Sequence, residues 1–163
     1  MARPIIILII VTLLGFSCKR PNPIKLEKII FHTSFCFGTC PTYHLQIDSN
    51  KQVKLFAEEV YQGKSLFLRD STKMGYFIGE IPDTTFIKLA EELQSIGIDT
   101  LKFDGVNCCD GSVKTIIVYY NGKRKYLKSM FPPKIAENLI DRLNNICRNY
   151  NFKRTTEKFK IEE

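Results

Sequence analysis

Apolar and polar residues alternate from Thr42 to Asp48, with Tyr43, Leu45 and Ile47 on one face and Thr42, His44 and Gln46 on the other. A period of two marks a half-buried strand. Asp48-Ser49-Asn50 reads as a turn, and Gln52 to Glu58 as the second strand of a hairpin. Ile24 to His32 (IKLEKIIFH) predicts an earlier strand, Ser65 to Arg69 a short later one, and Gly75 to Ile81 another with Tyr76 and Ile78 facing together. Val113 to Tyr120 (VKTIIVYY) is apolar on both faces toward its end, as a central strand would be. Asn121-Gly122 is a strong hairpin signal, and Lys123 to Met130 returns.

Two segments carry the helical period. After Pro82, with Asp83 as the expected N-cap, Phe86, Leu89, Ala90, Leu93 and Ile96 form one apolar stripe, and Gly97 is a natural stop. Pro132-Pro133 opens a second helix in which Ile135, Leu139, Leu143 and Cys147 recur every four residues and Ile146 widens the stripe. Strands joined by tight turns are antiparallel, and two helices with one apolar stripe each can cover one face of their sheet. The expected fold is α+β: an antiparallel sheet of five or six strands with two helices packed on one face. Residues 24–150 form this single domain, and Asn151 to Glu163, polar and charged, reads as a frayed tail.

The beginning of the chain belongs to a different chemistry. Arg3 precedes the apolar run Ile5 to Leu14, which is about half the roughly 20 residues a spanning helix needs and has the shape of a secretory signal. Its end, Leu14-Gly15-Phe16-Ser17-Cys18, resembles the bacterial lipobox. That resemblance implies removal of residues 1–17, acylation of Cys18, and residues 18–23 as a linker between the membrane and the domain. Lys19, Arg20, Pro21 and Asn22 contain no acid, which by analogy with lipoprotein sorting implies the cell envelope, at the periplasmic face of the outer membrane.

The total of 163 residues leaves room for one domain. The net charge of +7 is spread along the chain, and its one dense cluster, Lys123-Arg124-Lys125, falls in a hairpin and reads as a solvated turn. No nucleic-acid motif accompanies it, so nucleic acid is not an expected partner. No phosphate-binding glycine loop, nucleophile elbow or paired zinc histidines occur, and nothing nominates a nucleophile with its base.

The most distinctive string is Cys36-Phe37-Gly38-Thr39-Cys40-Pro41-Thr42-Tyr43. With the strand that follows, C-[FY]-G-x-C-P-x-Y resembles a bacterial, Bacteroidetes-type family of small secreted proteins and lipoproteins known as a domain of unknown function. The resemblance marks Cys36, Phe37, Gly38, Cys40, Pro41 and Tyr43 as motif positions and implies no activity. Two cysteines four apart cannot be bridged in a strand but can be in one turn of chain, where Cα atoms come within about 4.4–6.8 Å. Three readings stand: a structural disulfide, a soft-metal site, and thiol exchange. The metal reading draws on Cys36 and Cys40 with His32 or His44, and CxxxCP with a distant histidine resembles Sco-type copper chaperones, although their motif feeds a helix and this one feeds a strand. In the disulfide reading Gly38 is expected to hold a backbone angle that a Cβ disfavours. Cys108 and Cys109 are further disulfide candidates, including a long-range bridge such as Cys36–Cys108, while Cys147 on the helix stripe reads as a buried free thiol.

The expectation is thus a membrane-tethered envelope lipoprotein, a non-enzymatic binding or scaffold module without cofactor. The alternative is a Cu(I)-binding or thiol-handling envelope protein using Cys36 and Cys40. The residues do not name a protein or small-molecule partner.

Overall fold

The computed structural model describes residues 23–63, 67–105, 108–149 and 151–163. The expected signal segment, Cys18 and most of the linker lie outside the described residues. Seven strands make one sheet: β1 (Leu26–Thr33), β2 (Thr42–Asp48), β3 (Gln52–Glu59), β4 (Gly75–Glu80), β5 (Lys114–Tyr120), β6 (Lys123–Ser129) and β7 (Lys153–Thr155). Their spatial order is β6-β5-β1-β2-β3-β4-β7, and every neighbouring pair is antiparallel. Two helices complete the α+β fold, α1 (Asp83–Ser95) and α2 (Glu137–Asn149). Among the described residues no helix is long and apolar enough to cross a membrane.

The alternation read from β2 is realised: Tyr43, Leu45 and Ile47 are buried together with Val53, Leu55 and Ala57 of β3 and Ile29 and Phe31 of β1. Leu89 and Leu93 of α1 and Leu139, Leu143 and Ile146 of α2 belong to the same buried cluster. Asn121 and Gly122 both take positive φ (50° and 70°), which turns β5 into β6 in two residues.

Several local expectations are corrected. The strand count rises to seven because Asn151 to Glu163 is not a frayed tail: Lys153–Thr155 pairs with Ile78–Tyr76 of β4. Phe152 reaches the sheet over Gly79, where a Cβ would stand 2.5 Å from the Phe152 ring, so only glycine admits that ring. Asp83 is the first residue of α1, not its cap; Pro82 occupies the cap, and the Asp83 carboxylate instead accepts from Lys51 Nζ at 2.5 Å. Ile135 sits in a 3-10 turn (Lys134–Ala136) ahead of α2 and is exposed. In place of a strand over Ser65–Arg69 there is an isolated bridge between Tyr61 and Arg69, residues 64–66 lying outside the described residues.

The end of the chain also covers the sheet's second face. Ile30 and Ile117 point away from the main core yet are fully buried, because Ile161 packs on them with Phe159 and Tyr119 at the margin. Glu162 ties this strap down: its carboxylate accepts from Tyr119 Oη (2.7 Å), Arg124 Nε (3.1 Å) and Lys28 Nζ (3.2 Å). Those neighbours hold the Glu162 carboxyl below the ordinary carboxylate range, the Tyr119 hydroxyl most of all. Arg124 bonds Glu162, Lys123 bonds Asp99 (2.8 Å) and Lys125 bonds the Asp99 carbonyl (3.0 Å), so each base of the hairpin has a partner within the molecule. Truncating Ile161 to Ala removes the seal over Ile30 and Ile117 and should cost about 2 kcal/mol or more in urea unfolding. A frayed end would give no loss.

Candidate functional site

The chain between β1 and β2 folds into a small cross-linked loop. Cys36 and Cys40 form a disulfide, with Cα atoms 5.5 Å apart. Thr33 closes the base of the loop: its Oγ1 donates to the Pro41 carbonyl (2.8 Å) and accepts from the Tyr43 amide (2.9 Å). A second segment buttresses it from the side. Phe37 N donates to Asp110 O (3.1 Å), Ser34 N to Val113 O (3.0 Å), and Ser112 Oγ to Ser34 O (2.6 Å). The expectation for Gly38 is corrected: it is not among the residues with positive φ, and a Cβ would meet only the Cys36 sulfur, at an ordinary 3.5 Å. The turn is made by the i to i+2 bond from Gly38 N to Cys36 O (2.8 Å), which any residue tolerates. Phe35 and Phe37, on either side of Cys36, are exposed.

Beside this loop lies a cleft of about 680 Å³, within the size range of small-molecule sites. Thr39, Cys40, Pro41 and Tyr43 supply one wall, and Leu55, Val60 and Phe77 supply apolar surface from β3, its exit and β4. The end of α2 (Cys147, Arg148, Asn149) with Asn151 and Phe152 also lines it, and Tyr61, Gly63, Thr72 and Lys73 complete the lining. The cysteine string singled out in the sequence is thus one side of the cleft. Tyr43 is buried, and burial is the main cause that pushes its phenol up, the charge of Arg148 opposing that shift. Burial likewise holds the Cys147 thiol far above the ordinary thiol range, so it lies in the wall as an inert, protonated group. Arg148, Lys73 and Phe152 were not legible as site residues. Their signals are faint: one base ending a helical stripe, one base in a loop, and one aromatic in an otherwise polar stretch.

The histidines stand elsewhere, on the sheet's second face. His32 Nε2 lies 2.7 Å from the Glu162 carbonyl, which can only accept, so that nitrogen carries the proton. His32 Nδ1 then accepts from His44 Nδ1 at 2.8 Å, and His44 Nε2 faces the Glu58 carboxylate at 3.4 Å. His44 stacks on Phe56, Phe56 on Tyr76, and Tyr76 meets Phe159 of the strap edge-on. Burial lowers the His32 pKa, the Glu162 carbonyl bond opposes this, and the neighbouring His44 ring lowers it further.

The metal-ligating set Cys36, Cys40, His32 and His44 is not assembled. The sulfurs are bonded to each other, the imidazoles to each other, and among the described residues no group of three or more His, Cys, Asp or Glu is placed to hold a metal ion. Cys108 and Cys109 are exposed free thiols with their sulfurs 2.8 Å apart, so the long-range bridge to Cys36 is not made. Cys36 has its partner within its own loop, and the neighbouring segment is held to that loop by backbone bonds instead.

A central sheet carrying a cross-linked β1–β2 loop with a cleft beside it defines an α+β module. The chain belongs to the DUF6438 family, a domain of unknown function, whose model matches residues 27–150. No curated protein matches the chain. The match covers β1 to the end of α2, so Asn151, Phe152, β7 and the strap lie beyond the matched segment.

Two outcomes follow from this geometry. A Cys36→Ser/Cys40→Ser double variant should lose about 2 kcal/mol of stability, the scale of a short cross-linked loop, whereas Gly38→Ala should stay within about 0.5 kcal/mol. Urea unfolding under non-reducing conditions measures both. The lowered His32 pKa has a definite sign. The unfolded chain binds more protons than the folded one between the lowered value and about 6.5. Stability is therefore complete above pH 6.5 and falls as pH drops through the His32 value. Unfolding midpoints from pH 8 to pH 5 should show this slope in the wild type and a shallower one in His32→Gln.

Proposed function

We propose that this protein is a membrane-tethered envelope lipoprotein whose domain is a non-enzymatic binding module, with the cleft beside the Cys36–Cys40 loop as its binding site. The observation that carries the binding reading is the cleft. Its volume falls in the range of small-molecule sites, and the distinctive loop forms part of its lining. Leu55, Val60, Phe77 and Phe152 give it apolar surface, and polar groups reach it from several elements, the combination small-ligand sites use. Both helices are read as lying on one face of the sheet, supported by their shared buried cluster with β1, β2 and β3, so the cleft opens where the end of α2 meets the loop. The sequence before the domain supports the tether: an apolar run with one preceding base, ending in a lipobox-like Cys18. β1 begins at Leu26 and runs toward the cysteine loop that lines the cleft.

Each half has its own test. Labelled palmitate should enter the wild type in cells and be absent from Cys18→Ala; equal labelling of both removes the tether. The neutral dye Nile red should bind the purified domain and lose about tenfold or more in affinity when Val60→Trp fills the cleft, with the urea midpoint confirming that the variant folds. Dye binding that is indifferent to this substitution removes the cleft from the account.

A further inference from the structure

Resting on the reading of the cleft as a binding site, the geometry points to its ligand class: an anionic amphiphile, a single carboxylate or phosphate head on an apolar chain. The charges around the cavity are one-signed. Among the described residues Lys73 and Arg148 both line it, and no Asp or Glu does. The nearby carboxylates are engaged behind the rim. Asp70 accepts from the Thr72 amide (3.2 Å) and hydroxyl (2.5 Å), and Glu59 accepts from Tyr61 Oη (2.8 Å) and Arg69 (2.5 Å).

Both cations are exposed. Arg148 stands on the last turn of α2 and lines the cleft together with buried Tyr43. A planar guanidinium presents its N–H donors as a fork that suits a carboxylate or phosphate. Lys73 is mostly exposed, and its pair with Asp70 is long, at 3.6 Å, so it remains able to swing to a ligand at little cost. Between them Leu55, Val60, Phe77 and Phe152 offer apolar surface suited to a hydrocarbon chain. One electrostatic feature acts the other way. The carbonyl end of α2 carries partial negative charge, which favours cations. Arg148, inside that same turn, offsets it, so the sign of the preferred head group rests on Arg148 and Lys73.

Four probes with one chain length separate head group from tail: dodecanoate, dodecyl phosphate, dodecyl maltoside and dodecyltrimethylammonium, each displacing Nile red from the purified domain below its micelle concentration. The two anions should bind about tenfold tighter than the other two, the scale of one charge-assisted hydrogen bond. Arg148→Gln combined with Lys73→Gln should erase that preference and bring both anions to the affinity of the maltoside. Dodecanoate above dodecyl phosphate assigns the head to a fatty-acid carboxylate, and the reverse order to a phosphate. Equal affinity for all four heads, or a preference for the ammonium, overturns the inference and leaves the cleft as an apolar site. Failure of every probe and of Nile red overturns both readings together.

Discussion

Everything in this fold depends on a sheet whose central strands are apolar on both faces. In β1, Ile29 and Phe31 point to one side and Ile30 to the other; in β5, Ile116 and Val118 oppose Ile117, and all six are fully buried. Helices α1 and α2 supply buried side chains to the first cluster, but Ile30 and Ile117 need a second cover. Leaving two isoleucines wet would cost about 1.5–3 kcal/mol each. Ile161 provides that cover, and the Glu162 ion cluster and the pairing of β7 with β4 hold it in place. The last residues are thus part of the folding unit, although the family match ends at 150.

The same passage of chain builds the cleft. Phe152 crosses Gly79 on its way into β7, and its aromatic ring lines the cleft together with the Cys36–Cys40 loop. The loop is stiffened in three ways at once: the disulfide across it, Thr33 at its base, and the 110–113 backbone at its side. A ligand entering a cavity with so stiff a side would pay little ordering cost, which is what preorganisation supplies.

Much of this was legible and some was not, for identifiable reasons. The alternation of β2, the Asn121-Gly122 hairpin and the stripe of α1 are short-range signals that depend on neighbours in sequence, and the structure follows them. The apolar second face of β5 was visible too, but not the fact that residues 151–163 would cover it. The tail shows only isolated Phe152, Phe159 and Ile161 among charges, too few to give a period. Asp83 failed as a cap because Lys51, distant in sequence, offers its carboxylate a charged partner. Gly38 was given a strained angle by its place between two cysteines, yet the loop closes with ordinary φ there. The cysteine string was rightly singled out as unusual, but the cleft it lines needs Arg148 and Phe152 from more than 100 residues away, and no single-chain pattern announces that meeting.

The central claim is that ligand occupies the cavity between the cysteine loop and the end of α2. Amide chemical-shift mapping of the labelled domain, titrated with dodecanoate, tests it most directly. Saturable shifts confined to Thr39–Tyr43, Thr72–Lys73 and Arg148–Phe152, with the histidine face unmoved, are the expected result. Shifts centred instead on His44, Phe56 and Tyr76 beneath the strap, or on the exposed Phe35 and Phe37, would contradict it.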